Sequence, residues 1–236
     1  MQVFYQPDTS QHFLEGEEAR HCAKVLRARL GDEIAVTDGK GTVTFGSIQD
    51  LNVKRVAFRV VRTQQISLPT HRIHMAICPT RRAERNEWMV EKMTELGVHK
   101  IQFVVSEHTH RETLGRVLNH ERLHRIALSA MKQSQQFYLP EFSFFPNLPG
   151  YLSQVRVPDR YIAYVASGDI PDHFFKTIRP CKPVEILIGP EGDFSVAEIE
   201  AAKAAGFKPV SLGDTRLRTE TAAVIACHSA ILAQIN

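Results

Sequence analysis

Apolar positions repeat at two spacings along this chain, and the change comes near residue 70. Before it, short runs alternate: Val53–Val61 sets Val53, Arg55, Ala57, Arg59 and Val61 against Lys54, Val56, Phe58 and Val60, the period of a half-buried strand. Glu33–Thr37 and Thr42–Ile48 flank Asp38-Gly39-Lys40-Gly41, where glycine supplies the positive φ of a hairpin turn. One helical spacing interrupts the strands: Ala19, Cys22, Ala23 and Leu26 predict a helix over Glu17–Leu30, stopped at Gly31. Short strands joined by a tight turn predict a small β-barrel over residues 1–69. After Arg72, strand runs at Ile73–Cys78, Ile101–Val105, Tyr161–Ala166, Val184–Ile188 and Pro209–Leu212 alternate with helical runs at Arg82–Leu96 and Leu118–Phe137. Such alternation predicts a parallel α/β sheet over residues 70–236.

The last third is the most legible. Ile186-Leu187-Ile188 runs into Gly189-Pro190-Glu191-Gly192-Asp193. Ser195 stands three before Glu198, a capping box, and Phe194 and Ile199 take the two staple positions. Gly206 ends that helix and Lys208–Leu212 is the next strand. The loop Gly213–Arg218 follows, with Thr219 as the expected N-cap of a final helix, Glu220–Ile235. That helix is small and apolar nearly all round, so it must be buried, in part against another subunit.

Composition narrows the class. Of 236 residues, 43% are hydrophobic and 23% charged, which excludes disorder and collagen-like repeats. The net charge of +3 is unevenly spread: residues 70–140 carry 11 basic against 7 acidic groups, and residues 141–236 carry 9 against 11. A basic block beside a slightly acidic one suggests an anionic partner on one face. Four scattered cysteines form no CxxC pattern, so neither disulfides nor a four-cysteine zinc site is expected. No signal-peptide pattern opens the chain and no apolar run reaches bilayer length, so a cytoplasmic protein without membrane attachment is expected.

Two loops and one helix carry candidate chemistry. His120-Glu121-Arg122-Leu123-His124 matches HExxH, which on a helix puts two histidines on one face. A charged Arg lies inside it and no third ligand follows at a recognised spacing, so no metal is expected. His71, His74, His108 and His110 read as surface or internally satisfied histidines. Gly189–Asp193 lies where open α/β sheets bind ligands, at the carboxyl end of a strand. A phosphate cradle is not expected there, because Pro190 lacks a donor and Glu191 and Asp193 would repel an anion. Leu212–Thr221 packs two arginines, two acids and three threonines before a buried helix. The two loops follow successive strands and are expected to line one pocket.

These residues resemble the RsmE family, bacterial small-subunit rRNA uridine-N3 methyltransferases of the SPOUT superfamily. The likeness rests on Ile188–Ser195, on Leu212-Gly213 and on Arg216-Leu217-Arg218-Thr219-Glu220-Thr221-Ala222. It extends to His21–Arg27 with Gly31-Asp32, to Glu91–Val98 and to Gln133-Ser134. The resemblance implies a PUA-like β-barrel followed by a SPOUT-type parallel sheet with a C-terminal trefoil knot, a homodimer, and S-adenosylmethionine as methyl donor. It implies cofactor contacts at Ile188, Gly189, Pro190, Glu191 and Gly192, at Leu212, Gly213, Leu217, Arg218 and Thr219, and at Val165 and Ala166. Arg218 is implied nearest the target uridine. Arg27, Arg29, Arg81, Arg82, Arg85 and Gln133 are implied to face RNA. Asp193, Asp214-Thr215 and Gln136 depart from the family pattern. The reading is an rRNA (uracil-N3)-methyltransferase acting on 16S rRNA or the small ribosomal subunit. The alternatives are a non-catalytic RNA-binding protein and, from His120 and His124, a zinc hydrolase.

Overall fold

The computed structural model describes residues 1–111, 114–165, 170–179 and 181–234, which form two compact units. The first comprises Met1–Leu68 and Leu128–Leu139. Its strands are β1 (Gln2–Tyr5), β2 (Phe13–Glu15), β3 (Glu33–Thr37), β4 (Thr42–Leu51) and β5 (Arg55–Gln65), in the order β1-β3-β4-β5-β2. β1 pairs parallel with β3, and the other pairings are antiparallel. The two edge strands do not pair with each other, so the ladder is not closed into a full barrel. Phe4 from one edge and Leu14 from the other nevertheless enter one core with Ile34, Val36, Ile48, Val56 and Phe58. The sheet therefore curls around that core, and Ala19 and Cys22 plug it.

The helix expected over Glu17–Leu30 is shorter. An α-helical turn α1 (Gly16–Arg20) passes into a π-helical turn, His21–Val25, in which Leu26 N–H donates to His21 O. Arg27 then adopts φ +51° and turns the chain away. The apolar spacing reaches Leu26, but the backbone beyond it is tied elsewhere. Arg29 N–H donates to Asp32 Oδ2 at 2.8 Å and Gly31 N–H to Ile48 O at 2.8 Å.

Leu128–Leu139 is held to this sheet by polar bonds. Lys132 Nζ meets Glu18 Oε1, Tyr138 Oη donates to Ile66 O at 2.7 Å, and Leu139 N–H donates to Gly39 O at 2.8 Å. Gly41, at φ +93°, is required there, because a Cβ would lie 2.2 Å from Tyr138 Oη.

The second unit is Pro69–Ala127 with Pro140–Asn236, and within it the described residues form a six-stranded parallel sheet. Its strands are β6 (Ile73–Ile77), β7 (Lys100–Val104), β8 (Glu141–Phe145), β9 (Asp159–Ala163), β10 (Val184–Ile188) and β11 (Lys208–Val210), in the order β11-β9-β10-β6-β7-β8. Its helices are α2 (Ala83–Glu95), α3 (Leu114–Val117), α5 (Leu148–Gln154), α6 (Phe174–Thr177), α7 (Val196–Ala204) and α8 (Thr219–Leu232), and α4 (His120–Gln133) is divided between the units after Ala127. β10 is buried along its whole length, as expected of a central parallel strand.

Glu185, in β10, is a buried carboxylate and is compensated. It accepts from Gln102 Nε2 and from Tyr151 Oη at 2.7 Å, and His74 Nδ1 lies at 3.4 Å. Burial, and then the neighbouring carboxylate, push the Tyr151 phenol well above its usual range.

The capping box forms as read: Glu198 N–H donates to Ser195 Oγ at 3.3 Å, and Ser195 N–H to Glu198 Oε2 at 3.0 Å. Several expected limits move, among them these three. The helix expected over Leu118–Phe137 is α4, which ends at Gln133 because Gln135 takes φ +57° and Phe137 packs on Val3, Ala35 and Val43. The strand expected over Tyr161–Ala166 ends at Ala163, and Ala166 lies outside the described residues. The N-cap of α8 is Arg218, not Thr219. The Thr219 hydroxyl is directed instead to Gly189 O, at 3.1 Å.

Candidate active site

Three segments at the carboxyl ends of β9, β10 and β11 enclose one cavity of ≈ 710 Å3. Ligand sites commonly occupy about 300–1,000 Å3. The first wall is Ile188–Phe194, the second Ser211–Leu217 with Thr219 and Ala222, and the third Ala163–Val165 with Ile170 and Pro171. Of the sites expected from sequence, Val165, Ile188, Gly189, Pro190, Glu191, Gly192, Leu212, Gly213, Leu217 and Thr219 all line it. Arg218 does not; its side chain is exposed at the start of α8.

The walls are held by side chains the sequence did not single out for that role. Asp193 sits at φ +63°, a region open to Gly and tolerated by Asp and Asn. Its Oδ2 accepts from Val165 N–H at 2.8 Å and its Oδ1 from Phe194 N–H at 2.8 Å. One carboxylate thus ties the first wall to the third. Thr219 ties the second wall to the first through its bond to Gly189 O. Gly189 is tightly packed, since a Cβ would sit 3.0 Å from the Phe194 ring and force that ring to shift. Gly213 adopts φ +128°, and Ser211 Oγ accepts from its N–H at 3.1 Å.

Charge is arranged differently from the expectation. Glu191 was expected to leave the loop anionic. Its carboxylate instead meets Arg85 Nη1 at 3.0 Å and Arg81 Nε at 3.4 Å. Arg85 also reaches Glu220 Oε1 at 3.4 Å, and Glu220 Oε2 is buried with no hydrogen-bond partner among the described residues. Two of the arginines expected to face RNA therefore brace the cavity loop from outside. Arg82 is exposed at the start of α2, and Arg27, Arg29 and Gln133 are exposed on the first unit.

A second cavity, of ≈ 510 Å3, shares Pro190, Glu191 and Gly192 with the first. Arg81 and the segment from Glu107 to His110 complete much of its wall. His108 was read as an ordinary surface or satisfied histidine, yet it lines this cavity and its Nδ1 lies 2.9 Å from Asp193 O. The partner is 85 residues away, so no local pattern marks the pair. His120, from the HExxH match, stacks on Phe144 with ring centroids 3.7 Å apart. That ring serves packing. Among the described residues no group of three or more His, Cys, Asp or Glu is placed to hold a metal ion.

The family model described as an RNA methyltransferase domain matches residues 67–231, the region that builds these cavities. The chain belongs to the RNA methyltransferase domain family. A model described as an RNA methyltransferase PUA domain matches residues 14–61, within the curled sheet. Among solved members of similar fold, a probable rRNA-methyltransferase from Porphyromonas gingivalis is 39% identical. The match covers 100% of this chain and 99% of that one, with a TM-score of 0.90. A ribosomal RNA small subunit methyltransferase E from Neisseria gonorrhoeae, bound to S-adenosyl methionine, is 25% identical. That match covers 99% of this chain and 98% of the other, with a TM-score of 0.86. The ribosomal RNA small subunit methyltransferase E of Aquifex aeolicus is 28% identical over 95% of this chain and 96% of its own. These relatives agree with the resemblance drawn from the RNA methyltransferase motifs.

Proposed function

We propose that the chain is an S-adenosylmethionine-dependent methyltransferase that modifies N3 of a uridine in 16S rRNA, as free RNA or within the small ribosomal subunit, in the cytoplasm. The observation that carries the reading is the cavity made by three strand-end segments, with ten of the expected contact residues on its walls. Its chemistry fits the methyl donor. Ile188, Leu212 and Leu217 offer apolar faces, while Gly213, with open space where a Cβ would stand, leaves backbone open to a ligand. Pro190 denies a phosphate cradle, in keeping with a ligand that has no phosphate. When bound, the donor supplies an electrophilic methyl group and leaves as a neutral thioether. The chain's part is to fix the walls through Asp193 and Thr219, so that the two reactants meet in alignment. The acceptor base must be unstacked to reach such a site.

Arg218, exposed beside the second wall, is assigned to the RNA, where its guanidinium holds a phosphate next to the target base. Arg82 and, on the other unit, Arg27, Arg29 and Gln133 are assigned to further backbone contacts. A trefoil knot through the three wall segments belongs to this reading. So does a homodimer, supported by the exposed Trp88 on α2 and Ile225 and Leu232 on α8, two helices that pack together. A non-catalytic RNA binder has no use for the larger cavity.

The test is methyl transfer to small-subunit rRNA, naked and assembled, from labelled donor. Arg218→Ala is expected to lower turnover by at least about 10²-fold while sedimentation still reports the dimer. No incorporation by folded wild-type protein into either substrate would overturn the proposal, and normal turnover in the variant would remove Arg218 from it.

A further inference from the structure

The smaller cavity has chemistry of its own. Its wall carries a histidine held in one tautomer. His108 Nδ1 faces the carbonyl of Asp193 at 2.9 Å, and a carbonyl only accepts, so Nδ1 bears the proton. In the neutral ring Nε2 is then an acceptor, and it makes no hydrogen bond among the described residues. Gly192 leaves room beside it, since a Cβ there would be 3.3 Å from His108 Cβ. Arg81 lines the same cavity. Only its Nε is engaged, with Glu191 at 3.4 Å, and the side chain is 57% exposed, so its terminal N–H groups remain to donate. Pro79 and Pro190 supply flat apolar faces.

We propose, resting on the methyltransferase reading, that this cavity takes the uracil base of the acceptor nucleotide and that His108 Nε2 removes its N3 proton. A flipped base is read on its Watson–Crick edge. Uracil presents one donor, N3–H, between two carbonyl acceptors. The cavity offers the complement, an acceptor at His108 and donors at Arg81. Cytosine has no proton at N3 and mismatches it. In the step, the N3–H bond breaks, its electron pair stays on N3 and becomes the nucleophile, and the proton passes to Nε2. His108 then releases that proton to water. The loop Pro190–Gly192, common to both cavities, places acceptor and methyl-donor sites side by side. The titratable and charged groups around the ring are Arg81, Glu107, His110 and Glu191, with Asp193 and Glu198 on the adjoining segments.

Two measurements test this. In the first, the nitrogen resonances of His108 are followed by NMR during titration with uridine, cytidine and 3-methyluridine 5′-monophosphates. Uridine monophosphate is expected to shift Nε2, and the other two, which lack N3–H, are not. Equal shifts from all three, or none from uridine monophosphate, overturn the proposal. In the second, single-turnover methylation of small-subunit rRNA is measured against pH for wild type, His108→Ala and His108→Gln, with donor affinity by calorimetry. Loss of a general base costs about 10²–10⁴-fold. Both variants are expected to fall in that range, to keep donor affinity within about two-fold, a discrimination worth only about 0.4 kcal/mol, and to gain rate steadily with rising pH. Rates within a few-fold of wild type, an unchanged pH profile, or lost donor affinity in both variants would refute the role of His108. Absence of transfer by wild type would instead refute the methyltransferase reading itself.

Discussion

Replacing Asp193 by Ala and by Gly separates the two things this residue does. Its carboxylate accepts from Val165 N–H and Phe194 N–H, each at 2.8 Å, and its backbone holds φ +63°. A hydrogen bond to a charged group contributes about 1.5–3 kcal/mol. Val165 is exposed, so water replaces part of what is lost, and about 1–2 kcal/mol is expected for both bonds together. Aspartate and alanine both carry a Cβ, so alanine keeps the steric cost of about 1–2 kcal/mol in the left-handed region. Glycine avoids that cost but loses about 0.4–1 kcal/mol through the freer unfolded chain. Asp193→Ala is thus expected to destabilise by about 1–2 kcal/mol, and Asp193→Gly by about 0.5–1 kcal/mol less than that. Urea unfolding of the two variants and the parent, fitted with a common slope, measures both differences. Because the same bond holds the third wall of the larger cavity, donor affinity by calorimetry is expected to weaken about five-fold in both variants, roughly 1 kcal/mol. Equal stability of the two variants would refute the backbone argument. Parental stability and affinity in Asp193→Ala would refute the assignment of the carboxylate as a tie between walls.

Gly189→Val is expected to weaken donor binding by at least about ten-fold, or 1.4 kcal/mol, because the new Cβ meets the Phe194 ring at 3.0 Å; unchanged calorimetric affinity would contradict it. Acid stability is expected to depend on His99. Burial above all, and then His74, His71 and Arg72, lower its pKa from 6.5 to about 4, and its Nδ1 accepts from Ile73 N–H at 3.2 Å. The unfolded chain therefore binds the extra proton first, and stability is complete above about pH 6.5 and declines as pH falls toward 4. For a ring partly open to water the loss is on the order of 1–2 kcal/mol. Unfolding free energies at pH 5 and 7 check it, and a His99→Asn variant with an unchanged slope would refute it.

Features written in contiguous residues were legible from sequence alone. The Ser195–Glu198 box forms because four residues contain both partners. β3 and β10 begin and end as their apolar runs predict. Ten of the twelve expected cofactor contacts line the cavity because they fall on the loops at strand ends. What escaped the reading depends on distant partners. β8 is a run of Glu141-Phe142-Ser143-Phe144-Phe145 whose burial is only partial along an edge, so neither strict alternation nor a solid apolar run announces it. Glu191 looked like a free anion, because nothing in its loop shows that Arg81 and Arg85 close on it. Asp193 looked like a departure from a pattern, and its use appears only when Val165, 28 residues earlier, arrives beside it.

The segment Leu128–Leu139 belongs to the compact unit otherwise made of the first 68 residues. During synthesis the curled sheet therefore emerges some sixty residues before the piece that completes it. Until Tyr138 arrives to donate to Ile66, and Lys132 to meet Glu18, the first-made part of the chain waits as an unfinished sheet. The strands that intervene, β6 and β7, belong to the other unit. Folding of the two units is in this sense interleaved in time, and a fragment cut at residue 69 would separate the sheet from its own last segment.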